Sequence, residues 1–287
     1  MFVISGVTGN TGSIVAQALL DKGKDVRVIV RSEEKEKVWQ DKGAEVAVAD
    51  LFDINAMTTA LTGAENAYLL LPPDLTHDDF LGSRKTLAEN LVEAIEGSKI
   101  ERVTILSSVG AQLKDKTGPI RTVSYFESLL KDKPVKSTAI RPGFFLENWC
   151  EVLPLVLNNA ILPSFLQPLD YKIDMVATQD IGHTVSDALL HPSNAPHRVI
   201  ELKGAQQYSA NDVAQAFGKA LGKEVTPVAV PHEEWQGTLT HAGLSTTSAD
   251  LIIEMYDSLN EGLLTYSDAP TLTGETGLDA FVQKLVA

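Results

Sequence analysis

The sequence predicts an α/β fold built on a parallel sheet, and three observations predict it. A short apolar run at residues 2–5 leads into Gly6-Val7-Thr8-Gly9-Asn10-Thr11-Gly12, and then into a stretch (13–22) with Ile14, Val15, Ala18 and Leu19 on one helical face. Apolar runs of strand length recur at 26–30, 44–49, 67–71, 102–106 and 136–140, with helical stretches between them. The 287 residues, 44% hydrophobic and 22% charged, are enough to bury the core of a large soluble domain or two smaller ones.

Strand, glycine-rich turn and helix in that order make a dinucleotide site. Gly6 permits the tight exit from the strand, Gly9 lets backbone N–H groups approach a pyrophosphate, and Gly12 lets helix and strand pack closely. The helix N-terminus then offers free N–H donors and a partial positive charge to the diphosphate. Thr8, Asn10 and Thr11 complete this candidate cofactor loop. The spacing, GxxGxxG, is one residue longer than the common dinucleotide fingerprint.

The second strand (26–30) ends at Arg31 with no carboxylate beside it. An acidic residue there would bond the ribose 2′-OH of NAD, whereas an Arg accommodates the 2′-phosphate of NADP. Arg31 and Lys35 are therefore candidate phosphate ligands, with solvated surface charge as the alternative. The third strand (44–49) ends at Asp50-Leu51, where Asp50 is also placed to cap the helix expected near 55–61. The fourth (67–71) must stop at Pro72-Pro73, because proline donates nothing to a ladder. Leu71 and Pro72 thus lie on the rim where open α/β sheets bind ligands. A polar loop (74–79) and a helix (80–97) follow. The fifth strand (102–106) ends at Ser107, either a carbonyl-binding residue or an ordinary strand-end serine.

The next helix (122–130) contains Tyr125, with Leu129 four residues on and nothing basic within it. The sixth strand (136–140) runs into Arg141-Pro142-Gly143-Phe144-Phe145-Leu146-Glu147-Asn148, where Pro142 and Gly143 end the strand and open a crossing into a second lobe. Phe144, Phe145 and Trp149 either wall a flat aromatic substrate or form core between the lobes. Thr178 or Asp180 would cap a helix over 181–190, a short strand at 198–202 would add to the main sheet, and Ser209 would cap 210–221. A strand at 224–230 and helices at 233–241, 249–261 and 278–286 complete the chain.

GVTGNTG resembles the T-G-x-x-G variant of the extended and atypical short-chain dehydrogenase/reductases. Together with Arg31 and the run I-R-P-G-F-F-x-E-N, it makes the chain similar to the NmrA-like branch. The resemblance spans nearly the whole chain and is weakest in the last third. It implies a Rossmann-type doubly wound parallel sheet, with helices on both faces and a smaller C-terminal α/β lobe over the strand ends. The dinucleotide-binding part is expected at 1–143 plus about 175–204, and the smaller lobe at 144–174 and 205–287. It implies NADP(H) in preference to NAD(H), held at the 2′-phosphate by Arg31 and Lys35. Asp50 and Leu51 would pack around the adenine, and Leu71, Pro72, Pro142, Gly143 and Phe144 would border the cofactor. Ser107 would occupy the place of a catalytic Ser or Thr. The superfamily's YxxxK pair is absent here, as it generally is in this branch, which leaves Tyr125 a weak candidate acid and puts alcohol–ketone chemistry in doubt. The implied activity is hydride transfer from NADPH to a small conjugated acceptor such as a quinone or dye. The alternative is a non-catalytic NADP(H) sensor that binds a protein partner.

A formal net charge of −14 argues against a nucleic-acid or anionic-membrane surface. One cysteine, Cys150, allows no internal disulfide and suits the cytoplasm. A strand beginning at residue 2 leaves no room for a basic secretory leader, and no apolar run approaches a membrane span. The six histidines show no ligand spacing and no G-x-S-x-G elbow is present, so neither a metal nor a hydrolase is expected. A monomer or homodimer acting on a small molecule is the expectation.

Overall fold

The computed structural model describes residues 1–32 and 36–287. The first half alternates strictly: β1 (Phe2–Ile4), α1 (Asn10–Asp21), β2 (Val26–Val30), α2 (Glu36–Gln40), β3 (Glu45–Val48), α3 (Ile54–Leu61), β4 (Asn66–Leu69), α4 (Phe80–Ser98), β5 (Arg102–Leu106), α5 (Ile120–Lys131) and β6 (Lys136–Pro142). The remainder runs β7 (Phe144–Phe145), a 3₁₀ turn (Leu146–Val152), α6 (Leu153–Asn159), β8 (Ile161–Ser164), β9 (Ile173–Val176), α7 (Thr178–Leu190), β10 (His197–Lys203), β11 (Gln207–Tyr208), α8 (Ala210–Leu221), β12 (Thr226–Ala229), α9 (Trp235–His241), α10 (Thr246–Asn260), β13 (Thr271–Thr273) and α11 (Leu278–Val286).

Eight strands form one sheet in the order β3-β2-β1-β4-β5-β6-β10-β13, and every neighbouring pair is parallel. Parallel strands need covered faces, so their apolar residues alternate between two cores. Val3, Ala67 and Val103 meet α3, α4 and α5 through Met57, Leu91 and Phe126. Phe2, Ile4 and Tyr68 meet α1 and α7 through Val15, Leu19 and Val185. The order reverses between β1 and β4, the place where such sheets bind ligands at the strand C-termini.

A third core builds the smaller lobe, from Leu146, Trp149, Val156, Leu162, Phe217 and Val282. Its strands form two small sheets, β7-β9-β11 and β8-β12. The expected division of the chain misses one crossing. β13, inside the 205–287 stretch assigned to the small lobe, pairs with β10 and extends the main sheet. Its three exposed residues, Thr271–Thr273, hold a single apolar side chain, Leu272, too short a pattern to have marked a strand.

α10 spans the mouth of the sheet. Near its N-terminus Ser245 Oγ donates to the His77 carbonyl at 3.0 Å and Thr247 Oγ1 to that of Asp78. Near its C-terminus Ser258 Oγ donates to the Lys116 carbonyl. Gly118 is required beneath it, because a Cβ there would lie 2.0 Å from the Leu251 carbonyl oxygen.

Candidate functional site

The glycine loop has the geometry its sequence implies. Gly6 has φ +67°, and Gly9 N–H donates to its carbonyl at 2.9 Å, closing the turn. A Cβ on Gly12 would sit 2.4 Å from the Ser5 oxygen and 2.5 Å from the Gly6 carbonyl, so α1 lies against β1 at a distance only glycine allows. Gly9 is the N-cap of α1, with no side chain capping the helix and no acidic residue in its first turn. The first N–H groups therefore point outward without partners from the helix. Thr8, Gly9 and Asn10 are exposed around them. Thr11 is buried, with its hydroxyl 3.0 Å from Tyr68 Oη, which leaves only its main chain for a ligand.

Arg31 stands exposed at the end of β2 and has no ion-pair partner among the described residues. Lys35 lies outside the described residues. Asp50 does not cap α3. Its Oδ1 accepts Phe52 N–H at 2.9 Å, while Asp53 caps the helix through Ala56 N–H at 3.0 Å. The cap falls three residues later because the turn after β3 is closed by Asp50 itself. Leu51 packs against the core, Leu71 is buried, and the Pro72 carbonyl accepts Arg84 Nη1 at 2.5 Å. Arg84, which the sequence did not single out, also lies 5.3 Å from the Phe52 ring, and burial holds its pKa below the ordinary value. It pins the ends of β3 and β4 together.

The ends of β5, β6 and β10 rest on a buried charge network. Arg141 donates to both Glu127 oxygens at 2.8 and 2.5 Å, and to Glu201 at 3.4 Å. All three residues are at most 4% exposed. Ser107 Oγ donates to Glu127 Oε1, and Ser267 donates to Glu201 through N–H at 3.1 Å. The Ser107 hydroxyl is thus turned beneath the sheet end onto a carboxylate and not toward the rim. Tyr125 points the other way, to Glu89 on α4 at 2.7 Å, and that carboxylate raises its pKa. A half-buried, acid-paired phenol on the flank of α5 has no route to the strand ends. The signal for the network was present: Arg141 follows Ala139-Ile140 and Glu201 sits between Ile200 and Leu202, and a buried charge needs a partner.

Pro142 and Gly143 close β6, and a Cβ on Gly143 would sit 2.6 Å from Tyr266 Oη. Phe144 is half-buried, with its ring 6.2 Å from that of Tyr256 on α10, and Tyr256 meets Phe165 at 5.4 Å. Phe145 packs into the main core. Trp149 is 5% exposed and donates its indole N–H to Met175 Sδ at 3.4 Å, so it belongs to the lobe core and not to a cleft wall. The 3₁₀ turn Leu146–Val152 rotates it inward. Glu147, also missed, accepts Thr178 N–H at 3.0 Å and its hydroxyl at 2.6 Å, and so caps α7 from across the chain. Neither Thr178 nor Asp180 caps it; Asp180 instead accepts Thr276 N–H at 3.0 Å.

Among the described residues no three His, Cys, Asp or Glu side chains gather as metal ligands, and no helix is long and apolar enough to cross a membrane. The close-packed glycine cradle, the uncapped α1 N-terminus and the exposed Arg31 fit a phosphorylated dinucleotide.

The NmrA-like family model matches residues 1–268. Quinone oxidoreductase 2 of Escherichia coli (strain K12) is 25% identical over 280 residues, covering 95% of this chain and 92% of that one. NAD(P)H azoreductase of Xenophilus azovorans is 22% identical over 257 residues, covering 89% and 86%. Among solved structures, the NADPH-dependent quinone oxidoreductase of E. coli complexed with NADPH superposes over 100% of both chains with TM-score 0.83 at 23% identity. The Citrobacter sp. triphenylmethane reductase complexed with NADP(H) also does so over 100% of both chains, with TM-score 0.83 at 19% identity.

Proposed function

The chain belongs to the NmrA-like family, and on that premise we propose that it is an NADPH-dependent reductase passing hydride to a small conjugated acceptor such as a quinone or dye. The observation that carries this reading is an uncapped α1 N-terminus with an exposed Arg31, free of ion pairs among the described residues, at the end of the neighbouring strand. The names of the relatives, a quinone oxidoreductase and an azoreductase, support it.

NADPH, when bound, supplies the hydride. The main chain of residues 9–12 holds the diphosphate, and Arg31 grips the 2′-phosphate through its planar guanidinium. Leu71, Pro72, Pro142 and Gly143 line the course of the cofactor along the strand ends, beside Asp50 and Leu51 at the adenine end. The half-buried Phe144 and the Tyr256 edge offer a flat acceptor an apolar wall close to the end of β6. Positioning and exclusion of water are the protein's share of the chemistry. A conjugated acceptor leaves a stabilised anion after hydride transfer, and water can protonate it. The site therefore needs no Tyr–Lys pair. The single half-buried Cys150 suits a cytoplasmic protein, working as a monomer or homodimer.

The test is tryptophan-fluorescence titration with NADPH and NADH, followed by NADPH oxidation with a panel of quinones and azo and triphenylmethane dyes. Tight NADPH binding with acceptor-dependent oxidation is expected. Binding without turnover on any acceptor would replace the reductase with a non-catalytic NADP(H) sensor, a reading that the outward-facing Tyr125 favours. Absence of nucleotide binding would refute both.

A further inference from the structure

On the reductase reading above, we propose that Tyr256 selects the acceptor: its phenol O–H donates to an exocyclic oxygen of the conjugated ring, which makes an oxygen-bearing acceptor of the quinone class the preferred substrate. The position follows from α10. Its buried residues lie toward its ends, Ser248 and Ala249 at one and Ser258 and Leu259 at the other. Residues 251–257 between them are all half-buried. A helix lying flat on a core would instead alternate buried and exposed positions along this stretch. α10 is clamped at both ends and stands clear of a core in its middle, and Tyr256 comes from that middle. Its ring lies 6.2 Å from that of Phe144, which directly follows the Pro142-Gly143 end of β6. Phe165 at 5.4 Å and Trp235 at 6.2 Å complete an aromatic surround.

Such a surround gives the phenol no partner. The Phe144 and Phe165 side chains hold no acceptor, and Trp235 donates its own indole N–H to the Val230 carbonyl at 2.8 Å. The Tyr256 hydroxyl accordingly makes no hydrogen bond among the described residues. Tyr266 Oη, beside Gly143, is unpaired as well, but it is sealed from solvent; Tyr256 Oη is not sealed, so a ligand can reach it. Ser107 and Tyr125 are already committed to Glu127 and Glu89. Tyr256 is thus a free, reachable donor beside the aromatic wall. Burial raises its pKa, and the charge of Glu151 adds to the rise, so the O–H keeps its proton and donates without acting as an acid. Hydride transfer from NADPH to a quinone yields NADP⁺ and the hydroquinone monoanion, whose charge collects on a ring oxygen. A hydrogen bond to that oxygen strengthens as the charge develops. It stabilises the anion until water supplies the proton and is left as hydroxide.

Tyr256→Phe removes the hydroxyl and keeps the ring. kcat/KM is compared on menadione, a quinone, and on malachite green, a triphenylmethane dye with no oxygen. The quinone-to-dye ratio is expected to fall at least about tenfold, the low end for a hydrogen bond to a charged group. Infrared spectra of carbonyl-¹³C menadione bound to the NADP⁺ complex, in which no hydride can move, give a second reading. The carbonyl band is expected below its position in hexane in the parent, and at higher wavenumber again in Tyr256→Phe. If that variant does not fold, the parent band decides. A Tyr256→Phe enzyme slower on both acceptors with an unaltered ratio would reduce Tyr256 to a wall and overturn the proposal, as would a bound carbonyl at its hexane position. A parent that reduces neither acceptor, yet shows the Tyr256-dependent band shift, would keep this contact and overturn the reductase reading instead.

Discussion

Gly9 and Gly12 serve the same loop for different physical reasons, and a pair of alanine substitutions separates them. A Cβ on Gly12 would lie 2.4–2.5 Å from backbone atoms of Ser5 and Gly6, neither of which can swing aside. Relief requires α1 to retreat from β1 by roughly 1 Å, and overpacking of this kind costs about 1–3 kcal/mol. At roughly 2 °C per kcal/mol for a chain of this size, Gly12→Ala should melt about 2–6 °C lower. A Cβ on Gly9 meets only the Gly6 carbonyl at 3.4 Å, an ordinary contact, and the residue's φ of −105° suits any side chain. Alanine is the poorer N-cap, but it gains about 0.4–1 kcal/mol by restricting the unfolded chain, so the two effects nearly cancel. Gly9→Ala should therefore melt within about 2 °C of the parent while binding NADPH at least about tenfold more weakly, a loss of about 1.4 kcal/mol. Differential scanning calorimetry and fluorescence titration measure the two quantities. Normal NADPH affinity in Gly9→Ala would refute the view that this glycine is kept clear for a phosphate. An unchanged melting temperature in Gly12→Ala would refute the packing argument.

Arg31→Asp should weaken NADPH far more than NADH, by roughly the 2–5 kcal/mol lost when a close charge pair is broken; equal losses for the two nucleotides in parallel titrations would remove Arg31 from the site. Arg141→Met strands Glu127 and Glu201, 2% and 0% exposed, and should cost about 3–5 kcal/mol in denaturant unfolding. Lys219→Met breaks an equally short but exposed pair with Asp279 and should cost under about 1 kcal/mol. Similar losses in both variants would mean that burial does not set the strength of these pairs. His197, with Nδ1 2.7 Å from Ser137 Oγ, has its pKa lowered chiefly by burial. The unfolded chain therefore binds its proton more readily, and the stability from neutral His197 is complete above pH about 6.5 and lost as pH falls below it. His197→Gln should flatten the acid side of a plot of melting temperature against pH; an identical slope would contradict the assignment.

The dinucleotide half of the molecule was legible because its signals are local. An apolar run, a glycine turn and a helical face follow one another within residues 2–19, and the strand-ending Arg31 and Pro72 need only the chain beside them. What the sequence hid depends on partners far along the chain. Glu147 caps α7 thirty-one residues away, a contact that no local capping rule anticipates. Trp149 and Phe144 are five residues apart and equally aromatic, yet one fills the lobe core and the other stays half-buried near the strand ends. Only the turn between them decides which. Ser107 resembles a rim hydroxyl until Glu127 is seen beneath it.

That carboxylate also bears on the chemistry of the fold. α5 is the helix on which the YxxxK pair would lie. Here it turns Phe126, Glu127 and Leu130 inward and leaves Tyr125 on its flank against Glu89. Glu127 is the inward polar group of this stretch, and it is fully occupied by Arg141 and Ser107. It cannot be released to act as an acid without leaving Arg141 short of its main counter-charge in a buried site, which carries a cost of several kcal/mol. The helix thus trades a proton-delivering pair for an ion pair that holds β5, β6 and β10 in register under the site. An enzyme built this way is restricted to acceptors whose reduced anion is stable enough to wait for water. Simple ketones should therefore remain untouched under conditions in which quinones are reduced, and turnover of an unactivated ketone would overturn this account of α5.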